Sequence, residues 1–180
     1  MTVTSETAER AALYAGSQQS SAVAVWQRGE LLVDKHWPVA GDGAYGAMQL
    51  GETDDGEPLE DVASIQKSIV SVLVGMAVRQ ELLTVTDPVH LWLGKGWSQA
   101  SAAQEQSITL HHLLSMTSGL STELTFEVPA GSRWAYNTNV YSRLVPVLER
   151  ASGTDIGPLS QTWLIGPAGM THTSWYERAF

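Results

Sequence analysis

Ser64 and Lys67 stand three residues apart in VASIQKSIVSVLVGM (62–76), a stretch that is otherwise small or apolar. The chain has three lysines, Lys35, Lys67 and Lys95, so Lys67 is not drawn from a basic surface. If the segment is helical, Ser64, Lys67, Ser68 and Ser71 follow i, i+3, i+4, i+7 spacing and form one polar stripe. A serine at a helix start lies beside unpaired N–H groups and the positive end of the dipole, which favour an alkoxide and a developing oxyanion. A lysine one turn on, along the same face, is placed to activate it. The bland reading makes Ser64 a first-turn residue and Lys67 a side chain whose ammonium reaches back to water. WAYNTN (134–139) is a second candidate: Tyr136 stands at a loop–helix junction where it could relay a proton, or the segment is simply a helix N-cap supplied by Asn137 or Thr138.

Other chemistries have less support. The five histidines form no H-x-x-x-H pair and have no carboxylate at metal spacing, so no metal site is expected. No serine lies in G-x-S-x-G. GDGAYG (41–46) matches G-x-G-x-x-G, but AMQLGETDDGE follows it, acidic and glycine-rich instead of helical, so it reads as a loop and no nucleotide cofactor is expected.

The elements that must position these residues can be read coarsely. Thr7 to Gln19 has helical composition, and SAVAVWQ and ELLVDKHW flank Arg28-Gly29 as a β-hairpin. Pro38 to Pro58 reads as a surface loop, with six carboxylates from Glu52 to Asp61. Residues 61–83 give the strongest helical pattern, apolar nearly all round apart from the stripe, so the helix should be buried with its stripe facing an internal site. After the Asp87-Pro88 turn and a Gln/Ser-rich loop, Ile108 to Ser115 reads as a short helix ended by Thr117-Ser118-Gly119. Asn139 to Ala151 reads as an amphipathic helix kinked at Pro146 and stopped by Ser152-Gly153, and Gly157 to Ile165 as one more.

The totals bound the function. A chain of 180 residues, 43% hydrophobic, with seven tryptophans can bury a real core. Ten basic against 19 acidic side chains give a net charge of −9, which argues against nucleic acid and anionic membranes as partners. There are no cysteines, no basic-then-apolar leader, and no apolar run near the ~20 residues that span a bilayer. The expectation is a soluble, cytoplasmic protein.

Taken in order, VASIQKSIVSVLVGMAV, DPV, SITLHHLLSMTSGL, PAGSRWAYNTNVYSRLVPVLERASG and PAGMTHTSW resemble the serine β-lactamase and penicillin-binding-protein-like hydrolases, closest to the class C β-lactamase and esterase branch. The resemblance implies an α/β (α+β) fold of the β-lactamase/transpeptidase type. It implies an acyl-enzyme hydrolase with Ser64 as nucleophile, Lys67 as its activating partner and Tyr136 of the Y-x-N motif as general base and then acid. Thr138 replaces the asparagine that many members carry, and is left to bind a substrate carbonyl. That departure tilts the expectation from β-lactams toward another small-molecule ester or amide substrate. The family's third motif, K-T-G or H-x-G on a strand, is not met before Phe180, and Thr171-His172-Thr173-Ser174 does not supply it. The chain is therefore expected to be one incomplete domain: N-terminal strands and loop at 21–60, nucleophile helix at 61–83, a mainly helical region at 84–180, and the C-terminal sheet strands missing. It would be the N-terminal part of a longer hydrolase or a truncated paralogue. The alternative is a non-catalytic remnant that binds a ligand or partner.

Overall fold

A computed structural model describes residues 3–38 and 46–176. The chain divides into two compact units, Met1–Ala63 and Ser64–Phe180. Residues Gly41–Tyr45 of the glycine-rich motif lie outside the described residues.

In the first unit Thr4 caps helix α1 (Ser5–Ser17) by accepting from the Thr7 amide. Strands β1 (Ala22–Gln27) and β2 (Glu30–His36) pair antiparallel, with a bulge at Val25/Trp26. Arg28 and Gly29, both at positive φ (54° and 83°), make the tight turn that matches strand twist. Ala8, Ala12 and Val33 form a small core with Val23, Val25, Leu32 and Trp37 around them. The expected 38–58 surface loop is only partly a loop. It holds strand β3 (Gln49–Glu52), which pairs with strand β4 (Pro58–Glu60), starting at the loop's last residue, as a second antiparallel hairpin. Between them Thr53 Oγ1 accepts from the Glu57 amide and Gly56 takes φ 79°. With Leu50 and Leu59 as its only large apolar residues, this hairpin lacks the alternation by which a strand is recognised.

The expected 61–83 helix, most of which falls in the second unit, is shorter. A 3₁₀ turn over Ala63–Ile65 leads into helix α2 (Gln66–Arg79). The Asp61 carboxylate accepts from the Ala63 amide at 2.7 Å and Ala63 has φ 47°, so helical geometry does not run back to Asp61. At the other end Glu81 turns to φ 59° and the Leu82 amide closes back onto Ala77. Nor is α2 buried all round. Val70, Leu73, Val74 and Ala77 enter the core, while Ser68, Ser71, Val72 and Gly75 are exposed. Of its polar stripe, Ser64, Ser68 and Ser71 are exposed and Lys67 is half-buried.

Helices α3 (Val89–Leu93), α4 (Ala102–Ser107) and α5 (Leu110–Leu114) follow. The Gln/Ser-rich loop thus holds a helix, opened by a capping box in which Ser101 bonds the Gln104 amide and Gln104 bonds back. The Ser-x-x-Gln signal was present in the sequence. The expected 139–151 helix is two, α6 (Thr138–Tyr141) and α7 (Leu144–Ser152). Pro146 has no N–H for the Ser142 carbonyl and its ring crowds that carbonyl, so the break falls four residues upstream of the proline, not at it. Gly153 ends α7 at φ 69°. The last stretch is α8 (Ile156–Ser160) and a π turn over Gln161–Ile165. Leu144, Val147 and Leu148 of α7 lie at the centre of the core, against α2, Leu110, Leu113 and Leu159.

Four strands stand among the described residues where two were expected, all in the first unit. No described helix is long and apolar enough to cross a membrane.

Candidate active site

Two segments of the second unit, far apart in sequence, build the site. The turn at Ser64 and the first residues of α2 supply one half. Ile65 is the N-cap of α2 and makes no side-chain cap bond, which leaves the first-turn amides beside Ser64 without a side-chain acceptor.

The other half is the extended stretch before α6, held in place by its backbone and by one buried side chain. The Ala135 amide donates to the Met116 carbonyl at 3.0 Å, and the Gly131 amide to Thr117 at 2.8 Å. Asn137, 5% exposed, does more. Its Oδ1 accepts from the Val140 amide at 3.0 Å, capping α6, and its Nδ2 donates to the Leu120 and Ser121 carbonyls at 3.1 and 2.9 Å. The cap comes from Asn137 and not Thr138, and capping does not compete with chemistry, because the adjacent Tyr136 points the other way into solvent and is 53% exposed. Gly119 makes the approach of this loop possible: at φ 74°, a Cβ there would sit 2.0 Å from the Val128 carbonyl oxygen.

These anchors bring Tyr136 Oη to 2.5 Å from Ser64 Oγ. Lys67 Nζ donates to the same Oγ at 3.1 Å and lies 5.2 Å from the centre of the Tyr136 ring. Ser64, Lys67 and Tyr136, 72 residues apart at the extremes, are therefore one cluster. Hydrogen bonding to Ser64, and after it to Lys67, holds the Tyr136 phenol below its usual 10; slight burial opposes this, and the Thr138 hydroxyl and the Lys67 charge act in the same downward direction. Thr138, the first residue of α6, thus sits beside the phenol.

Tyr141 was not singled out by sequence reasoning. At 6% exposure its hydroxyl donates to the Lys67 backbone carbonyl at 2.8 Å. Its only signal was a tyrosine five residues after Tyr136, which apolar patterning reads as core.

Among the described residues no group of His, Asp and Glu could hold a metal ion. His112 caps α5, its Nδ1 accepting from the Thr109 amide at 3.1 Å, and burial and then His111 push its pKa down. The arrangement at Ser64 can do chemistry without such a group: a hydroxyl, a phenol with a lowered pKa and an ammonium within mutual reach are the parts of a nucleophile with its base.

The Beta-lactamase family model matches residues 6–180. Esterase EstB of Burkholderia gladioli is 33% identical over 79 residues, which cover 41% of this chain and 20% of that protein. A beta-lactamase/D-alanine carboxypeptidase structure from Yersinia pestis shares 28% identity at TM-score 0.58, covering 66% of this chain and 41% of its own. FmtA from Staphylococcus aureus, at 19% identity, shares the fold at TM-score 0.70 over 94% of this chain and 50% of its own. The chain spans half or less of the length of each of these relatives. Its mixed helix-and-strand fold is that of β-lactamase/transpeptidase proteins. With nearly the whole chain matched, it belongs to the Beta-lactamase family.

Proposed function

We propose that the chain is a serine hydrolase that forms an acyl-enzyme on Ser64 with a small-molecule ester or amide. The observation that carries this reading is the 2.5 Å contact between Tyr136 Oη and Ser64 Oγ, with Lys67 Nζ 3.1 Å from the same oxygen. As Ser64 Oγ attacks the carbonyl carbon, its proton passes to the Tyr136 phenolate, which the neighbouring Lys67 ammonium stabilises. The tetrahedral intermediate expels the alcohol or amine, which takes the proton back from Tyr136. Water then gives a proton to Tyr136, attacks the acyl carbon and releases the acid, and Ser64 Oγ is reprotonated. First-turn amides of α2, left without a side-chain cap beside Ser64, would be donors for the oxyanion. Thr138 beside Tyr136 is left to bind the substrate, and threonine in place of the family's asparagine, together with the likeness to an esterase, favours esters over β-lactams. Nucleic acid and anionic membrane are not among its partners in this reading, and its place is the cytoplasm.

The test is intact mass after incubation with a fluorophosphonate. One adduct is expected on the chain, none on Ser64→Ala, and labelling slowed by about 10²-fold in Lys67→Ala. An adduct that persists in Ser64→Ala would refute the nucleophile. No adduct on a chain that still unfolds cooperatively would turn the assignment to a non-catalytic binding domain.

A further inference from the structure

Two tyrosine hydroxyls join the same pair of segments. At the solvent side Tyr136 meets Ser64 at 2.5 Å, and one turn deeper Tyr141 donates to the Lys67 carbonyl at 2.8 Å. The two differ in every physical respect that matters. Tyr136 is 53% exposed and its pKa is lowered; Tyr141 is 6% exposed, and burial raises its pKa, opposed by a hydrogen bond with the Ser71 side chain. A dry phenol with a raised pKa stays protonated and keeps donating. The Tyr136–Ser64 bond must be given up each time Ser64 is acylated, since its proton leaves and its oxygen enters an ester. In that state the Tyr141–Lys67 bond still ties α6 to the first turn of α2.

From this geometry we infer that Tyr141 is a positioning residue: its hydroxyl, bound to the Lys67 carbonyl, fixes the spacing between the Tyr136 segment and the Ser64–Lys67 turn. α6 is one turn long and starts two residues after Tyr136, so a shift of Tyr141 against α2 carries over to the Tyr136 phenol. The partner is a backbone carbonyl, so the tie sets the path of the chain at Lys67 and not the rotamer of its side chain. The lever is sensitive because proton transfer needs heavy atoms within about 2.6–3.2 Å, and a displacement near 1 Å can cost about 10²-fold. The inference deepens the hydrolase reading and rests on it for the effect on rate, but the spacing itself can be read without turnover.

The experiment uses the full chain with Tyr141→Phe, which keeps the buried ring and removes only the hydroxyl. Two quantities are read: the rate of fluorophosphonate labelling of Ser64, and the ionisation of Tyr136 by tyrosinate absorbance, taken as the difference from the same chain carrying Tyr136→Phe. The groups facing Tyr136 are the Ser64 hydroxyl, the Lys67 ammonium and the Thr138 hydroxyl, all unchanged in Tyr141→Phe, so movement of its titration reports their distance. Labelling is expected to fall about 10-fold or more, and the Tyr136 midpoint to rise toward 10. Tyr14→Phe, at an exposed position of α1, should change neither. Should Tyr141→Phe fail to fold, Ser71→Ala removes the hydroxyl's other neighbour and is expected to raise the midpoint by a smaller amount. A wild-type labelling rate with an unmoved midpoint overturns the inference while the hydrolase reading stands. A midpoint that moves in a chain that is never labelled supports the positioning role and removes the hydrolase reading instead.

Discussion

At the scale of single residues, the proposed mechanism sets one group's ionisation against another's position. In that mechanism Tyr136 reacts as the phenolate, and contacts with Ser64 and Lys67 lower its pKa, which would bring the reactive form in below pH 10. The labelling rate should therefore rise with pH and level off below 10. Lys67→Ala removes both a hydrogen bond and a nearby positive charge, so the rise should move to higher pH. Rate–pH profiles of fluorophosphonate labelling in the two chains decide this, and coincident profiles would take the base role away from Tyr136. Tyr136→Phe should lower the rate by about 10²–10⁴-fold without changing the fold, because its ring is half exposed.

At the scale of elements, short helices and long loops hold the site through a few buried polar side chains. Asn137 satisfies one helix amide and two loop carbonyls at once. Asn137→Ala loses the cap and strands those groups, at a cost of about 2–4 kcal/mol by urea unfolding. Because Tyr136 is its neighbour, labelling should slow as well. Glu105 of α4, 2% exposed, does the same for the loop before α4: its carboxylate accepts from the Gly96 and Ser98 amides and the Ser98 hydroxyl, all at 2.9 Å. Burial pushes its pKa up, but these donors outweigh burial and hold it below the usual 4.5. A carboxyl with a folded pKa below its unfolded one stabilises the protein above about pH 4.5, and that contribution fades as pH falls through the folded value. Glu105→Ala should cost about 3 kcal/mol at neutral pH and flatten the stability–pH curve below 4.5, as measured by urea midpoints across that range.

At the scale of the molecule, the second unit's core is organised around α7, whose Leu144, Val147 and Leu148 are fully buried. Leu148→Ala leaves a cavity among packed helices and should lower the unfolding free energy by about 2–5 kcal/mol in denaturant titration. The same helices leave Ser68, Ser71, Val72 and Gly75 of α2 exposed, so α2 is a one-sided helix within this unit. A change at Val72 to a polar residue should cost far less than one at Leu73, which is 0% exposed.

Local chemistry determined much of this protein on its own. The hairpin at Arg28-Gly29, the helix ends at Gly153 and after Leu114, and the pairing of Ser64 with Lys67 all rest on neighbours within a few residues, and such neighbours are legible in order. The family resemblance was carried by the same kind of local signal, several short segments in sequence. What local signals left open, tertiary structure decided. Whether Asn137 or Thr138 capped α6, and whether Tyr136 was only an aromatic ahead of that cap or faced a serine, depended on carbonyls at 120–121 and on a hydroxyl 72 residues away. Apolar residues around α2 read as burial on every side, because hydrophobicity counts what a helix offers and not which neighbours arrive to cover it. Tyr141 was invisible for the same reason: its role lies in one contact with a backbone carbonyl, and every residue has one of those.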